Sequence, residues 1–361
     1  MNRRWLGPLL SVVLIVGVGA AIFVSVRNAL QQRQKVVVNG LIGSEKEGFF
    51  RDERVVQALD RLGIQVNFEK AGSREMSQKL GNSAYDFAFP AGVPAAEKIR
   101  KDWKVSNQGY DVFFSPMVVA SWKPIADLLV ANDVARLDNG FYFLDMAKYL
   151  ELVSAGKRWN QLKDNQVFDA SRSVLINSTD ITRSNSAAMY LALSSYVVNG
   201  NTVVQNQAQV DAVAALMTVI FAKQGLTGYS SEEPFQDYLA MGMGKAPLVM
   251  IYESQFIAEA AQPNGNIRPE MVLMYPDPGI YTKHVLVPLT ENGKKLGDAL
   301  QNDVELRRLA VEYGLRNSDV AYFQSFVSQH GLKVPADLVN IADTPTFEIL
   351  EAMIQAISTQ Q

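Results

Sequence analysis

Short apolar runs alternate with helical segments in the part of the chain that follows residue 35. The β-branched run at 36–38 precedes Asn39, as is typical of a buried strand that ends in a turn. Apolar residues then recur at helical spacing in "DERVVQALDRLG", which stops at Gly63. "IQVNFEKAG" and "YDFAFPAG" return to the strand pattern. Strands that alternate with helices predict a mostly parallel α/β sheet, with functional loops at the carboxyl ends of its strands.

The alternation continues beyond a polar stretch at residues 138–140. "FYFLDMAKYLELVSAG", "SAAMYLALSSYVV" and "QVDAVAALMTVIFAKQG" are predicted helices, and "RSVLIN" and "APLVMIYES" are predicted strands. "EMVLMYPDPGIYTKHVLVPL" is predicted to be an extended return crossing, and the helix "VELRRLAVEYG" to end at Gly314. A chain of 361 residues that is 48% hydrophobic can bury two cores. We therefore predict two lobes, the first from residues 35–120 plus 272–361 and the second from 121–271.

An apolar segment precedes this globular part. Between Arg4 and Arg27 lie residues 5–26, none of which is charged, and about 20 helical residues suffice to cross a bilayer. A cleaved signal peptide is the alternative, because Arg3 and Arg4 form a short basic region. The segment is longer than the usual apolar core of about 7–15 residues, and no clean A-x-A site follows it. We favour an uncleaved single-pass anchor, with its linker, over residues 1–34.

Composition argues against several classes of function. The net charge of -3 from 34 basic and 37 acidic residues indicates no nucleic-acid partner. The chain contains no cysteine, which excludes disulfides, thiolate zinc sites and cysteine nucleophiles. "GMGKAP" at 242–247 lacks the spacing of a phosphate loop, and His284 is interpreted as a strand residue. We expect no catalytic residue, no metal ion and no cofactor.

Polar residues crowd into the turns between predicted strands and the helices that follow them, at residues 43–46, 71–76, 178–187 and 252–255. A helix N-terminus presents free N–H groups and the positive end of its dipole, so hydroxyl and amide side chains there form an anion site. Each turn also has a simpler interpretation. The loop at 178–186 resembles a capped helix start, Glu45 and Lys46 a surface ion pair, and Tyr252–Glu253 a strand end.

The sequence resembles a known family at five stretches, namely "NGLIGSEKEGFF", "YDFAFPAG", "STDITRSNSAAMYLAL", "GKAPLVMIYESQFIAEA" and "ALQNDVELRRLAVEYGLR". In their order they resemble the bacterial extracellular solute-binding proteins of the type II periplasmic-binding fold, particularly the molybdate/sulfate-like branch. The resemblance covers about residues 35–316. It implies two α/β lobes joined by crossing strands, with a small ligand bound in the cleft between them.

The resemblance also implies positions for the ligand contacts. In the first lobe they are Ser44, Glu45, Lys46, Ala91 and Gly92; in the second they are Thr182, Arg183, Ser184, Asn185, Ser186, Tyr252 and Glu253. Three features depart from the family: an anchor without a lipid-attachment cysteine, an extension at 317–361, and two acidic residues near an anion site. Glu45 or Glu253 would weaken binding of a bare oxyanion unless a cation intervenes.

These observations favour an extracytoplasmic, periplasmic binding protein that is held in the inner membrane by residues 5–26 and closes over a small polar or anionic solute. Its expected partner is an ABC-type transporter or a sensor. Two other classes stay open. One is a membrane-bound enzyme that uses Glu45 and Glu253. The other is an assembly or stress-sensing module whose extension, apolar at Phe347, Leu350, Met353 and Ile354, binds a protein partner or else packs on the first lobe.

Overall fold

The structure is a computed structural model that describes residues 35–359, apart from residues 83, 223, 225–227 and 229. The predicted membrane anchor and its linker at 1–34 lie outside the described residues. Within residues 35–359, as far as they are described, no helix combines the length and apolar character needed to cross a membrane.

The first lobe begins with a parallel strand group whose members are separated by helices. Asp52 accepts a hydrogen bond from the Arg54 amide and so caps the helix that contains the predicted apolar stripe. The elements are β1 Val36–Ile42, a 3₁₀ turn Ser44–Lys46, α1 Glu47–Arg51, α2 Glu53–Arg61, β2 Ile64–Lys70, α3 Met76–Lys79, a 3₁₀ turn Leu80–Asn82, β3 Phe87–Phe89 and α4 Val93–Asp102.

The second lobe mixes short strands with longer helices. Asp145 caps the helix that begins at Met146 by accepting from the Lys148 amide. The elements are β4 Tyr110–Trp122, α5 Lys123–Ala131, β5 Ala135–Asp138, β6 Phe141–Asp145, α6 Met146–Ser154, a 3₁₀ turn Trp159–Gln161, α7 Asn185–Val198, α8 Gln207–Ala222, α9 Glu232–Met241, β7 Leu248–Tyr252, α10 Glu253–Ala261 and β8 Met271–Asp277.

Two of the sequence-based predictions in this lobe are wrong in detail. "FYFLDMAKYLELVSAG" begins with strand β6 before helix α6, because Phe141–Asp145 pairs with both β5 and β8. "RSVLIN" is no continuous strand, since only Ser173 and Asn177 form isolated bridges there. Val174 and Ile176 are nevertheless buried in the core. The apolar pattern therefore indicated burial, not pairing with a neighbouring strand.

The chain returns to the first lobe through an extended segment, as predicted, and ends in helices. The helix Val304–Glu312 stops just before Gly314, whose φ of +70° suits glycine. The elements are β9 Tyr281–Pro288, α11 Glu291–Asn302, α12 Val304–Glu312, α13 Val320–Gln329 and α14 Phe347–Ser358.

Strand β4 joins the two lobes. Its first half, residues 110–116, pairs with β9 in the first lobe, and its second half, from Met117 on, pairs with β7 and β8 in the second. The described strands therefore follow one path in the order β2-β1-β3-β9-β4-β8-β6-β5, with β7 also paired to β4. The region where β4 changes partners lies between the two cores.

The C-terminal helix does not lie where the sequence predicted. Leu350, Met353, Ile354 and Ile357 of α14 belong to the hydrophobic core of the second lobe, and the helix packs mainly on α8. The expected packing of its apolar stripe on the first lobe is wrong, although charged residues of the helix contact that lobe. The sequence shows an apolar stripe but not the surface that receives it.

Candidate functional site

A cavity of about 270 Å³ lies between the two lobes, and polar residues dominate its walls. The first-lobe wall follows β1 and β2, so it lies at the carboxyl ends of neighbouring parallel strands, as expected for an open α/β sheet. The cavity is lined by Gly43, Ser44, Glu45, Lys70, Ala71, Gly72, Ser73, Glu75 and Lys79 from the first lobe and by Arg183, Ser184, Asn185, Ser230, Ser231 and Tyr252 from the second.

The turn after β1 brings a carboxylate to the cavity wall. Gly43 permits this arrangement, because a Cβ at this position would overlap the carboxylate of Glu45. The Lys46 amide donates to the Gly43 carbonyl at 3.1 Å and closes the turn. Ser44 and Glu45 therefore face the cavity, whereas Lys46 is completely buried.

The start of α7 supplies the opposite wall. The Ala188 amide donates to the Ser184 carbonyl, so the amides of residues 185–187 precede the helix's own ladder and lie at the positive end of its dipole. The Ser184 side chain makes no capping bond. Its Oγ instead lies 2.9 Å from Oγ of Ser186, which is 2.9 Å from Oγ1 of Thr179.

Asn185 and Tyr252 join two elements of this wall. Nδ2 of Asn185 donates to the Tyr252 hydroxyl at 3.1 Å. Burial, together with the negative charge of Glu45, raises the pKa of Tyr252 well above its usual value, so the phenol keeps its proton. A protonated phenol that already accepts from Asn185 has its own O–H left to donate.

Lys46 acts as a buried counter-ion rather than as a cavity residue. Its Nζ donates to Glu45, lies 3.0 Å from Nδ1 of His284 and stands 4.8 Å from the centre of the Phe89 ring. Burial alone raises the pKa of Glu45, but the ammonium of Lys46 outweighs it, so this pKa is held well below its usual range. Glu45 therefore carries its charge, and Lys46 balances it.

His284 is neutral in this cluster. Burial and the neighbouring ammonium of Lys46 lower the pKa of His284 to about 4. Because an ammonium has no acceptor, Nδ1 of His284 accepts and its proton lies on Nε2. Among the residues that the structure describes, Nε2 is buried without a partner.

Glu253 lies in a different cluster from the cavity residues. Both of its oxygens accept from Arg316, at 2.7 and 2.9 Å, and one also accepts from the Tyr275 hydroxyl at 2.8 Å. The side chain is completely buried. The structure thus places Glu253 in a satisfied ion pair and outside the cavity lining, although it follows Tyr252 directly in the chain.

The remaining predicted residues surround the cavity without lining it. The Ala91 amide donates to Ser73 Oγ at 2.8 Å. A Cβ on Gly92, whose φ is +136°, would lie 2.7 Å from the Asn185 side-chain oxygen, so glycine allows the two lobes to approach here. Thr182 donates its amide to Asp180 at 2.7 Å, and Ser186 lies behind Ser184.

The sequence prediction missed several cavity residues. Ser73 stood in a candidate turn, where its capping pattern hid its role. Ser230 and Ser231 follow no strand, so no strand-exit signal marked them. Gly72 and Glu75 stood in the same candidate turn as Ser73, whereas Lys70 and Lys79 reach the cavity from β2 and from the helix after that turn, outside the candidate turns.

Direct contacts connect the lobes around the cavity. Oγ of Ser44 lies 3.2 Å from Oγ of Ser230, and Nε of Arg183 lies 3.4 Å from Glu75. The Arg74 guanidinium donates to the Thr182 carbonyl at 3.2 Å. The described conformation is therefore closed, with polar groups of both lobes within hydrogen-bonding reach of one another.

Comparison with known proteins identifies the fold. The sequence matches no protein-family model and no curated protein sequence. In structure, the chain resembles the sulfate-binding protein SubI of Mycobacterium tuberculosis with a TM-score of 0.50 and 15% identity, over 90% of this chain and 98% of that one. It also resembles the ferric binding protein of Campylobacter jejuni, with a TM-score of 0.56 and 13% identity over 89% and 97% of the two chains. Apo ferric ion-binding protein A of Pasteurella haemolytica gives 0.54 and 12%, over 90% and 97%. The predicted type II periplasmic-binding fold is confirmed.

Proposed function

We propose that this protein is an extracytoplasmic solute-binding protein that closes its two lobes over a small polar or anionic ligand. The observation that carries the proposal is the composition of the cavity walls. Serine hydroxyls from both lobes, the Asn185 amide and the start of α7 converge on one space of about 270 Å³. Groups contributed by both lobes favour the closed state when a ligand joins them.

The ligand class follows from charge and size. Ser44, Ser73 and Ser184 offer hydroxyl donors, and the guanidinium of Arg183, which pairs with Glu75, adds a cation to the wall. The charge of Glu45 is balanced by Lys46 within the wall, which lessens the repulsion that an acidic residue exerts on an anion. The cavity is slightly below the range of about 300–1,000 Å³ that is usual for ligand pockets. These features support a compact ligand rich in oxygen atoms.

Closure is expected to be a hinge motion at the place where β4 changes partners. Residues 110–116 pair in the first lobe and the rest of β4 in the second, so small changes of backbone angles there would rotate one lobe against the other. We propose further that residues 5–26 anchor the protein in the inner membrane. Its partner there would be an ABC-type transporter that takes over the ligand or a sensor that recognises the closed conformation.

The two other classes gain no support from the geometry. Glu45 and Glu253 belong to separate clusters, and Glu253 is fully occupied by Arg316 and Tyr275. A pair of carboxylates that acts on one substrate needs both of them at the same site. The apolar stripe of the extension, which a protein partner would need, is buried in the second lobe.

Thermal unfolding of the full chain, purified in detergent, tests the proposal with sulfate, inorganic phosphate and ferric citrate as probes at constant ionic strength. A ligand that binds the native state raises the melting temperature with its concentration, corresponding to about 2.7 kcal/mol at one hundred times Kd. We expect an oxyanion to produce this shift and Asn185→Ala to abolish it.

The matched control is Asn199→Ala, at the other end of α7, where the amide bonds to Thr202. This variant should keep the full ligand response. An oxyanion response that is equally strong in Asn185→Ala and Asn199→Ala would contradict the placement of the ligand between the lobes.

A further inference from the structure

The C-terminal extension runs across the connection between the two lobes. It starts after α12, which packs in the first-lobe core through Leu306, Leu309 and Ala310. Arg316 then holds the segment that returns from α13, since its guanidinium donates to the carbonyls of Pro335 and Ala336 at 2.7 and 2.6 Å. The Glu253 carboxylate, which binds Arg316, thus helps to hold the start of the extension and residues 335–336 in place.

The middle of the extension pairs with the link between β8 and β9. The Gly279 amide donates to the Asn340 carbonyl, and the Ala342 amide donates to the Gly279 carbonyl, both at 2.8 Å. Nδ2 of Asn340 also donates to Asp277 at 2.8 Å. Residues 340–342 therefore lie against a segment that passes from the second lobe to the first.

Helix α14 contacts both lobes at once. Its apolar face lies in the core of the second lobe, on α8. Its charged face meets the first lobe, where Glu348 pairs with Lys101 at 2.6 Å and Glu351 with Arg74 at 2.7 Å. The Arg74–Glu351 contact is an ion pair by distance, without the alignment of a hydrogen bond.

The Arg74 contact reaches the rim of the ligand cavity. Arg74 is only 9% exposed, and it also donates to the carbonyl of Thr182, next to the cavity residue Arg183. Rotation of the second lobe away from the first would therefore break the ion pairs of α14 and the Thr182 contact together.

We propose that α14 is a strap that holds the lobes closed in the absence of ligand and thereby sets the affinity of the cavity. Its apolar face moves with the second lobe, while Lys101 and Arg74 move with the first, so the strap favours the closed population. The part of this inference that concerns affinity rests on the proposed function. A larger open population would weaken the apparent affinity in proportion to the competent fraction that is lost.

The first part can be tested without any ligand. Because the chain contains no cysteine, Gln78→Cys and Asp237→Cys place one spin label on each lobe, at exposed positions. Double electron–electron resonance on the full chain in detergent measures the distance between the labels. We expect Glu348→Gln with Glu351→Gln to raise the ratio of open to closed molecules about fivefold, as expected for two lost ion pairs of ordinary strength.

The control removes the same amount of charge without touching the contact between the lobes. Glu305 pairs with Arg61 and Glu291 with Lys294, and both pairs lie within the first lobe. Glu305→Gln with Glu291→Gln should leave the distances unchanged, and exchange of charges by Lys101→Glu with Glu348→Lys should keep the closed distribution. Equal distance distributions in the strap variant and the control would overturn the proposal, whether or not sulfate or phosphate binds.

Discussion

Two carboxylates lie in the first turn of helical segments that follow strands in the two lobes, yet their surroundings differ. Glu45 follows β1 and Glu253 follows β7. Oε1 of Glu45 accepts from Lys46 and lies 3.5 Å from Nδ1 of His284, and the side chain lines the cavity. In Glu253, both carboxylate oxygens accept hydrogen bonds from the Arg316 guanidinium, and the side chain is fully buried.

This difference separates a carboxylate that serves the fold from one that remains available at a site. A guanidinium fork matches a carboxylate in both geometry and charge, so the Glu253–Arg316 pair leaves little for a ligand to gain. An ammonium satisfies one side of a carboxylate and leaves the other open. The cluster of Glu45 can therefore respond to what enters the cavity.

The largest effect is expected for Glu253→Gln. This change leaves the buried Arg316 guanidinium without a counter-charge, and breaking such a pair costs about 3–5 kcal/mol. Urea denaturation of the full chain, followed by circular dichroism, measures the loss in free energy of unfolding. A loss below about 1 kcal/mol, the ordinary value of an exposed pair, would remove the distinction between the two carboxylates.

Glu45→Gln should cost less, about 1–3 kcal/mol, which is the usual penalty for an unsatisfied buried group. Lys46 is completely buried, and this burial lowers the pKa of its ammonium, whereas the charge of Glu45 raises it. Without Glu45, Lys46 can therefore lose its proton and avoid remaining as an unpaired buried charge. The same denaturation measurement, made side by side with Glu253→Gln, compares the two clusters. An equal or greater loss for Glu45→Gln contradicts the comparison.

The cluster at the cavity should also make stability depend on pH through His284. The unfolded ring binds a proton near pH 6.5, whereas in the folded protein its pKa is lowered to about 4. The unfolded state therefore binds more protons in this interval, and stability falls as the pH decreases from about 6.5 to about 4. We expect about 2 kcal/mol of the loss between pH 7 and pH 5 to come from this ring.

His284→Asn removes the titrating ring, so its unfolding free energy should change less between pH 7 and pH 5 than that of the unchanged protein. The quantity compared is the change in unfolding free energy between pH 7 and pH 5 within each protein. A general loss of stability in the variant does not affect this change. If the unfolding free energies of the two proteins depended on pH in the same way, the pKa of His284 would be the same in the folded and unfolded states, which would contradict this prediction.

The smallest effect is expected for Glu305→Gln, which breaks an exposed pair with Arg61. Exposed pairs contribute about 0–1 kcal/mol, so the unfolding curve should nearly superimpose on that of the unchanged protein. Both partners are more than half exposed, which leaves each charge hydrated after the change. A loss comparable to that of Glu253→Gln would show that burial does not decide the strength of these pairs.

Much of the fold could be predicted from local patterns. The strands at 36–42, 64–70, 87–89 and 248–252 followed from apolar runs that end in turns, and the stop before Gly314 from a glycine cap. The predicted strand "RSVLIN" failed because burial alone does not create a ladder. Of the predicted site residues, Ser44, Glu45, Arg183, Ser184, Asn185 and Tyr252 line the cavity. Their role as ligand contacts stays a proposal.

The sequence by itself determined the alternation of strands and helices and the polar character of the turns between them, because periodicity and capping act over a few residues. Only the tertiary structure decided which charged residues face the cavity. Lys46 meets His284 across 238 positions, and Glu253 meets Arg316 across 63. No local pattern reports such contacts, since the partner of a buried charge is set by how distant segments pack. For the same reason, the sequence showed the apolar stripe of α14 but not the lobe that receives it.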